Sequence, residues 1–187
     1  METEHNRIQA LRDNAVMLYS PEDIHAALDR MAAEIEAAVA GSVPIVLVVL
    51  TGGIIPAGHI LTRLAFPLEI DYLHATRYRG NTTGDAKVDW ECKSRIPLEG
   101  RTVLVIDDIL DEGNTLQTVT DYCRRSGASR VCTAVLIEKH HDRRLNGVQA
   151  DVVGLGVKDR YVFGFGMDYR GYLRNLNGIF ALEPGEE

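Results

Sequence analysis

The sequence predicts an α/β fold with a mainly parallel central sheet flanked by helices, and three observations carry that prediction. Short, unbroken, β-branched apolar runs recur at 43–50 (VPIVLVVL), 101–107 (RTVLVID) and 130–138 (RVCTAVLIE), as expected of strands covered on both faces. Stretches with helical apolar spacing alternate with them, which is the pattern of strand–helix units. The runs break into Thr51-Gly52-Gly53, Asp107 to Thr115 and Glu138 to Arg143, and in such sheets ligands gather beyond the carboxyl ends of the strands.

In chain order, Ser20-Pro21-Glu22-Asp23 opens a helix: Ser as N-cap, Pro in the first turn, acids against the helix dipole. Ile24, Leu28, Met31, Ile35 and Val39 then share one face, and Gly41 closes the element. A strand over 43–50 runs into Thr51-Gly52-Gly53, and a short helix through Leu64 follows. LEIDYLHA (68–75) alternates as a second strand, whereas TRYRGNTTGDAKVD (76–89) has no period and reads as a long loop or a flexible hairpin. The strand at 101–107 leads into a helix through Arg125, capped by Ser126-Gly127. Further strands are predicted at 130–138, 151–157 (DVVGLGV), 161–165 (YVFGF) and from Gly178 to Leu182.

Length and composition narrow the class. A chain of 187 residues, 45% hydrophobic and 25% charged, suits one globular domain. The formal net charge of -7 argues against nonspecific nucleic-acid binding, which needs many cations on phosphates. The start, METEHNRIQA, carries no apolar stretch of a secretory signal, and Val43 to Leu50 is too short to span a bilayer. Cys92, Cys123 and Cys132 lack paired metal-ligand spacing and read as reduced thiols. The expectation is a cytoplasmic protein without a membrane partner.

The chemistry concentrates in VLVIDDILDEGNT (103–115). Gly113 lets backbone approach a ligand, Thr115 offers a hydroxyl, and the N–H groups of Glu112, Gly113, Asn114, Thr115 and Leu116 face outward at a helix start, a cradle for a monophosphate. Asp107 and Asp108 point to opposite faces if the strand continues through them. Their partners are sugar hydroxyls or hydrated Mg²⁺. The plainer alternative is a strand end with solvated acids before a capped helix, but four acids with Gly-x-Thr exceed what capping needs. Lys139 ends a buried strand, as a solvated cap or as an ammonium that reads a carbonyl. His140-His141-Asp142 suggests a metal, although adjacent histidines do not share a strand face. Tyr161, Phe163 and Phe165 form a stripe suited to core packing, or to stacking on a planar base.

VLVIDDILDEGNT resembles the phosphoribosyl pyrophosphate signature of type I phosphoribosyltransferases. TTGDAKV, LIEKHHDR and DRYVFGFGMDYRGYLRNLNGI resemble the hypoxanthine-guanine branch, so the similarity spans about residues 15–182. The resemblance implies a single domain over 1–187, with a core at about 40–150, a hood from about 1–20 and 151–187, and a flexible loop at about 76–89. It implies transfer of a phosphoribosyl group from 5-phosphoribosyl 1-pyrophosphate to a purine base, with Mg²⁺ as cofactor. Asp107 and Asp108 would bind the ribose hydroxyls, and with Asp168 the metal; Asp111 would be general base or acid at purine N7. Residues Glu112 to Leu116 would hold the 5′-phosphate, Thr51-Gly52 and Arg174 the pyrophosphate. Lys139 would donate to the 6-oxo group, Tyr161 would stack on the ring, and Val162 backbone would lie by the exocyclic position. Arg77 and Tyr78 would ride on the closing loop, and Arg143 would add a positive contact. Thr51 departs from the Lys or Arg that many members carry before this glycine. A homodimer or homotetramer is also implied.

Two alternatives share the fold: a xanthine-preferring enzyme, and an RNA-binding regulator of the kind that resembles pyrimidine phosphoribosyltransferases. Lys139, Tyr161 and Asp168 match the 6-oxopurine pattern, and the acidic balance disfavours RNA.

Overall fold

The computed structural model describes residues 3–77, 88–145 and 147–182. Helices α1 (Glu4–Asn14), α2 (Pro21–Val39), α3 (Ile54–Leu61) and α4 (Asn114–Arg125) accompany nine strands among those residues. Strands β2 (Ile45–Leu50), β3 (Glu69–Arg77), β4 (Val88–Cys92), β5 (Thr102–Leu110), β6 (Arg130–His140) and β7 (Val152–Lys158) form one sheet in the order β4-β3-β2-β5-β6-β7. All its neighbours are parallel except the β3–β4 pair. A smaller antiparallel sheet joins β1 (Val16–Tyr19), β9 (Ile179–Ala181) and β8 (Val162–Phe163).

The period-two rule sorts the central strand β5 between two apolar layers. Leu104 and Ile106 pack with Leu28, Ile35 and Ile60 from α2 and α3, while Val103 and Val105 pack with Leu116, Val119 and Cys123 of α4. Helix α2 starts as a capping box: Asp23 N–H donates to Ser20 Oγ at 3.2 Å, and Ser20 N–H to Asp23 Oδ2 at 2.9 Å. Among the described residues no helix is long and apolar enough to cross a membrane.

Three features depart from the sequence expectation. Val152–Lys158 pairs with β6 in the main sheet, and Arg30 of α2 donates to the carbonyls of Val153 and Gly154. The hood boundary drawn at residue 151 therefore moves past Lys158. The strand expected over 161–165 is only Val162–Phe163, because Gly164 (φ 96°), Phe165 (φ 47°) and Gly166 (φ 109°) turn the chain into left-handed backbone. The hairpin alternative for 76–89 agrees with the described part of that stretch, where Val88 and Asp89 pair antiparallel with Arg77 and Thr76 of β3; residues 78–87 lie outside the described residues. Helix α1, absent from the sequence reading, buries no residue and so offers no apolar stripe.

One buried acid fixes the end of the β3–β4 hairpin. Asp71, 9% exposed, accepts from Ser94 Oγ at 2.8 Å and from the N–H groups of Tyr72, Arg95 and Ile96 at 2.9, 2.7 and 3.1 Å. Burial pushes its carboxyl up, but these donors outweigh burial and hold it below the ordinary aspartate value. A carboxyl lowered by folding stabilises above its unfolded value, and that contribution fades as pH falls through the folded one. Asp71→Ala is expected to cost about 2–3 kcal/mol near neutral pH, since it strands buried donors. Thermal melts should show the gap from wild type narrowing in acid; superimposed melts near neutral pH would rule the anchor out.

Candidate functional site

Parallel strands deliver their carboxyl ends to one edge, and there β2 and β5 make a tight junction. β2 ends at Leu50, the Leu50–Thr51 peptide bond is cis, and Gly53 N–H returns to Val49 O at 2.9 Å. A Cβ on Gly53 would lie 2.6 Å from Val49 O and 2.9 Å from Ile106 O. A Cβ on Gly52 would overlap the Asp108 carboxylate. Both glycines are therefore demanded by close approach and not merely by a turn.

β5 does continue through its acids. Asp107 is 6% exposed and its Oδ1 accepts Asp108 N–H at 2.9 Å; Asp108 Oδ1 accepts Ile109 N–H at 2.9 Å. Burial pushes the Asp108 carboxyl up, and neighbouring Asp107 and the Arg174 charge pull it back only in part. Beyond Leu110 the chain turns through Gly113 (φ 95°) into α4, whose N-cap carries no capping side chain. That leaves the first-turn N–H groups for an outside acceptor. The loop after β6 braces the turn: Leu145 N–H donates to Glu112 O at 2.9 Å, and a Cβ on Gly113 would lie 2.8 Å from Val148 Cγ1. Thr115 faces the site, whereas the Leu116 side chain is buried beneath it, so Leu116 can serve only through backbone. Asn114 Nδ2 is occupied by Glu112 Oε2 at 3.1 Å.

The hood supplies the other wall. The segment after β8 holds Phe165, Arg170 and Leu173 in left-handed backbone (φ 47°, 50° and 65°), a conformation that costs about 1–3 kcal/mol per residue and gathers at functional sites. A Cβ on Gly166 would overlap Gly52 O, so hood and sheet meet backbone to backbone. Arg174 donates to Gly166 O at 2.6 Å and pairs with Asp168 Oδ1 at 2.6 Å; Asp168 Oδ2 accepts Gly171 N–H at 2.6 Å. Tyr161 OH donates to Asp168 O at 3.2 Å.

These elements enclose two adjoining cavities. The larger, about 450 Å³, is lined by Val49 to Gly52, His74, Ala75, Asp107, Thr115 and Arg174; the smaller, about 220 Å³, by Asp111, Lys139, Tyr161, Val162 and Met167. Asp108, Ile109 and Asp168 belong to both. The larger presents hydroxyl acceptors and an anion-binding edge, the smaller an aromatic face beside an acid and an ammonium. A ligand with a charged sugar half and a flat polar half matches that division.

An ammonium and an imidazole hold Asp111. Lys139 Nζ lies 3.2 Å from its Oδ2 and His141 Nε2 lies 2.7 Å from its Oδ1. Arg143 lines neither cavity; its guanidinium grips Asp159 at 2.6 and 2.8 Å and holds that carboxyl down at about 2. The added positive contact expected of Arg143 is spent on Asp159. Arg77 ends β3, and Tyr78 lies outside the described residues. His140, His141 and Asp142 form no metal cluster among the described residues. Sequence reasoning missed His74 and weighed His141 only as a metal ligand, although His74 pairs in register with Leu50 and so had to reach the same edge.

The phosphoribosyl transferase domain family matches residues 17–170. The hypoxanthine-guanine-xanthine phosphoribosyltransferase of Tritrichomonas foetus is 33% identical over 89% of this chain and 91% of its own. The hypoxanthine-guanine phosphoribosyltransferase of Streptococcus agalactiae is 33% identical over 89% and 92%. Among solved structures, a hypoxanthine phosphoribosyltransferase from Staphylococcus aureus superposes with a TM-score of 0.86 at 27% identity, covering 94% of this chain and 95% of that one.

Proposed function

The chain belongs to the phosphoribosyl transferase domain family, and from that premise we propose that it transfers the phosphoribosyl group of 5-phosphoribosyl 1-pyrophosphate to hypoxanthine or guanine. The products are IMP or GMP and pyrophosphate, a purine-salvage reaction. The observation that carries this reading is the pair of adjoining cavities with Asp108 in their shared wall, Thr115 at one end and Asp111 at the other.

In the reaction N9 of the base bonds to C1′ of the ribose, the C1′–O bond breaks, and pyrophosphate leaves with the electron pair. Asp107 and Asp108 accept from the ribose hydroxyls and lie where the sugar gains oxocarbenium character, which negative charge stabilises. The backbone of Glu112 to Leu116 and the Thr115 hydroxyl hold the 5′-phosphate. Thr51-Gly52 backbone and Arg174 take the pyrophosphate. Asp111 accepts the N7 proton, Tyr161 stacks on the ring, and Val162 backbone meets the exocyclic position. Lys139 donates to the 6-oxo group; an ammonium has no acceptor for a 6-amino group, which disfavours adenine.

Mg²⁺ fits the donor set, because Asp107, Asp108 and Asp168 bring only oxygens to one cavity. Among the described residues no three acidic, His or Cys side chains group into an ion cage. The ion would therefore rest on one or two of these carboxylates with substrate oxygens and water, as Mg²⁺ commonly does. When bound it supplies charge that stabilises the departing pyrophosphate. The same reading includes a cytoplasmic location and a homodimer or homotetramer, which light scattering on the purified protein tests.

Purified protein with Mg²⁺ and 5-phosphoribosyl 1-pyrophosphate is expected to consume hypoxanthine or guanine from an equal mixture with xanthine, followed by chromatography of the nucleotides. The Tritrichomonas foetus relative supports xanthine as a further acceptor, and XMP appearing first would favour that second reading. No nucleotide from any of the three bases would sink the enzyme.

A further inference from the structure

We propose that His141 is a positioning residue for Asp111: a neutral imidazole whose Nε2–H holds one carboxylate oxygen, aiming the other at the base. This deepens the transferase reading and rests on it. The His141 side chain is 3% exposed, and its Nε2 lies 2.7 Å from Asp111 Oδ1. Its other nitrogen, Nδ1, accepts the Arg143 N–H at 3.1 Å. A nitrogen that accepts a backbone N–H carries no proton, so the ring proton sits on Nε2 and points at the carboxylate. Protonating Nδ1 as well would set two donors against each other. The backbone of the loop after β6 thus keeps the ring in one tautomer.

His141 does not line the base cavity; Asp111 and Lys139 do. It stands behind Asp111, in a second recess with Lys139, Asp142 and Arg144. Lys139 Nζ meets Asp111 Oδ2 at 3.2 Å, so the two oxygens have different partners and the carboxylate has a set orientation. Each carboxylate oxygen accepts up to two hydrogen bonds, which lets Oδ2 take the N7 proton while Oδ1 stays on the imidazole. The proton moves from N7 to Oδ2 and His141 keeps its own. The charged groups around the pair are Lys139 from β6, Asp142 and Arg144 with its Glu138 beside the recess, Arg143 with its Asp159, Glu112 from the phosphate loop and Asp108 from β5.

The test compares His141→Ala with His141→Gln, whose amide N–H can replace the imidazole donor. A hydrogen bond to a charged group converts to a loss of about 10- to 100-fold. His141→Ala is expected to lower kcat by that factor and leave the KM for 5-phosphoribosyl 1-pyrophosphate near wild type. It should also move the acid limb of the kcat profile to higher pH, because a carboxylate that loses a donor binds protons more tightly. His141→Gln should recover most of the rate and the profile. Wild-type rate and profile in His141→Ala, or a Gln variant as slow as Ala, would overturn the proposal. The nitrogen shifts of ¹⁵N-imidazole-labelled unliganded protein give a readout independent of turnover: His141 protonated on Nε2 supports the pair, and on Nδ1 overturns it. A wild type that makes no nucleotide would instead remove the transferase reading, leaving the tautomer result standing.

Discussion

Asp111→Ala is expected to lower kcat with hypoxanthine or guanine by about 10²–10⁴-fold, the usual range for a lost general base. That is about 3–5 kcal/mol of transition-state stabilisation. The motivation is geometric: Asp111 lines the smaller cavity with Tyr161 and Lys139, and its carboxylate is held by His141 and Lys139. It has no place in the larger cavity, so KM for 5-phosphoribosyl 1-pyrophosphate should change little. Asp111→Asn sharpens the test. The amide oxygen can still accept from His141, but its NH₂ then meets the Lys139 ammonium, donor against donor. Asn should therefore be as slow as Ala, and steady-state kinetics with each substrate varied will show it. An Asn variant at wild-type rate would remove Asp111 from proton transfer and leave it an orienting group for Lys139.

The contrast between Asp111 and its partners marks how far sequence reasoning reaches. Asp107 to Thr115 was legible because a buried strand, acids, a glycine and a hydroxyl lie within one short segment, and each residue type has a local reason to be there. His141 had no such signal. It lies 30 residues from Asp111 in the chain, and the two meet because parallel β5 and β6 set Leu110 opposite Glu138. Register is a tertiary fact, and a histidine beside another histidine suggests a metal before it suggests a carboxylate partner. His74 reaches the larger cavity in the same way, through its register with Leu50. The fold class was readable from the apolar runs, since strands buried on both faces need no partner to be recognised. An element that buries little was not: α1 buries none of its residues. Phe165 and Leu173 sit in left-handed backbone that their side chains disfavour, so no propensity could have placed the hood loop.

Gly52→Ala is expected to reduce kcat/KM for 5-phosphoribosyl 1-pyrophosphate by about 10²-fold, the scale at which displacing a positioned group by an ångström is felt. Gly52 is wedged between two neighbours: its missing Cβ faces the Asp108 carboxylate, and its carbonyl abuts Gly166 of the hood. A methyl there cannot move toward the hood, because that contact is backbone on backbone. The Asp108 side chain must yield, giving up its bond to Ile109 N–H at 2.9 Å and its place between the two cavities. This makes a sharper prediction than a simple loss. If the damage runs through Asp108, removing that carboxylate removes the clash as well. Asp108→Ala alone should be impaired, and Gly52→Ala combined with Asp108→Ala should be no slower than Asp108→Ala by itself. Two groups in contact give such non-additive cycles, whereas independent sites multiply their effects. A double variant slower by the product of the two single losses would mean that the methyl disturbs the hold of the Thr51-Gly52 backbone on the pyrophosphate directly, and that Asp108 does not transmit the damage.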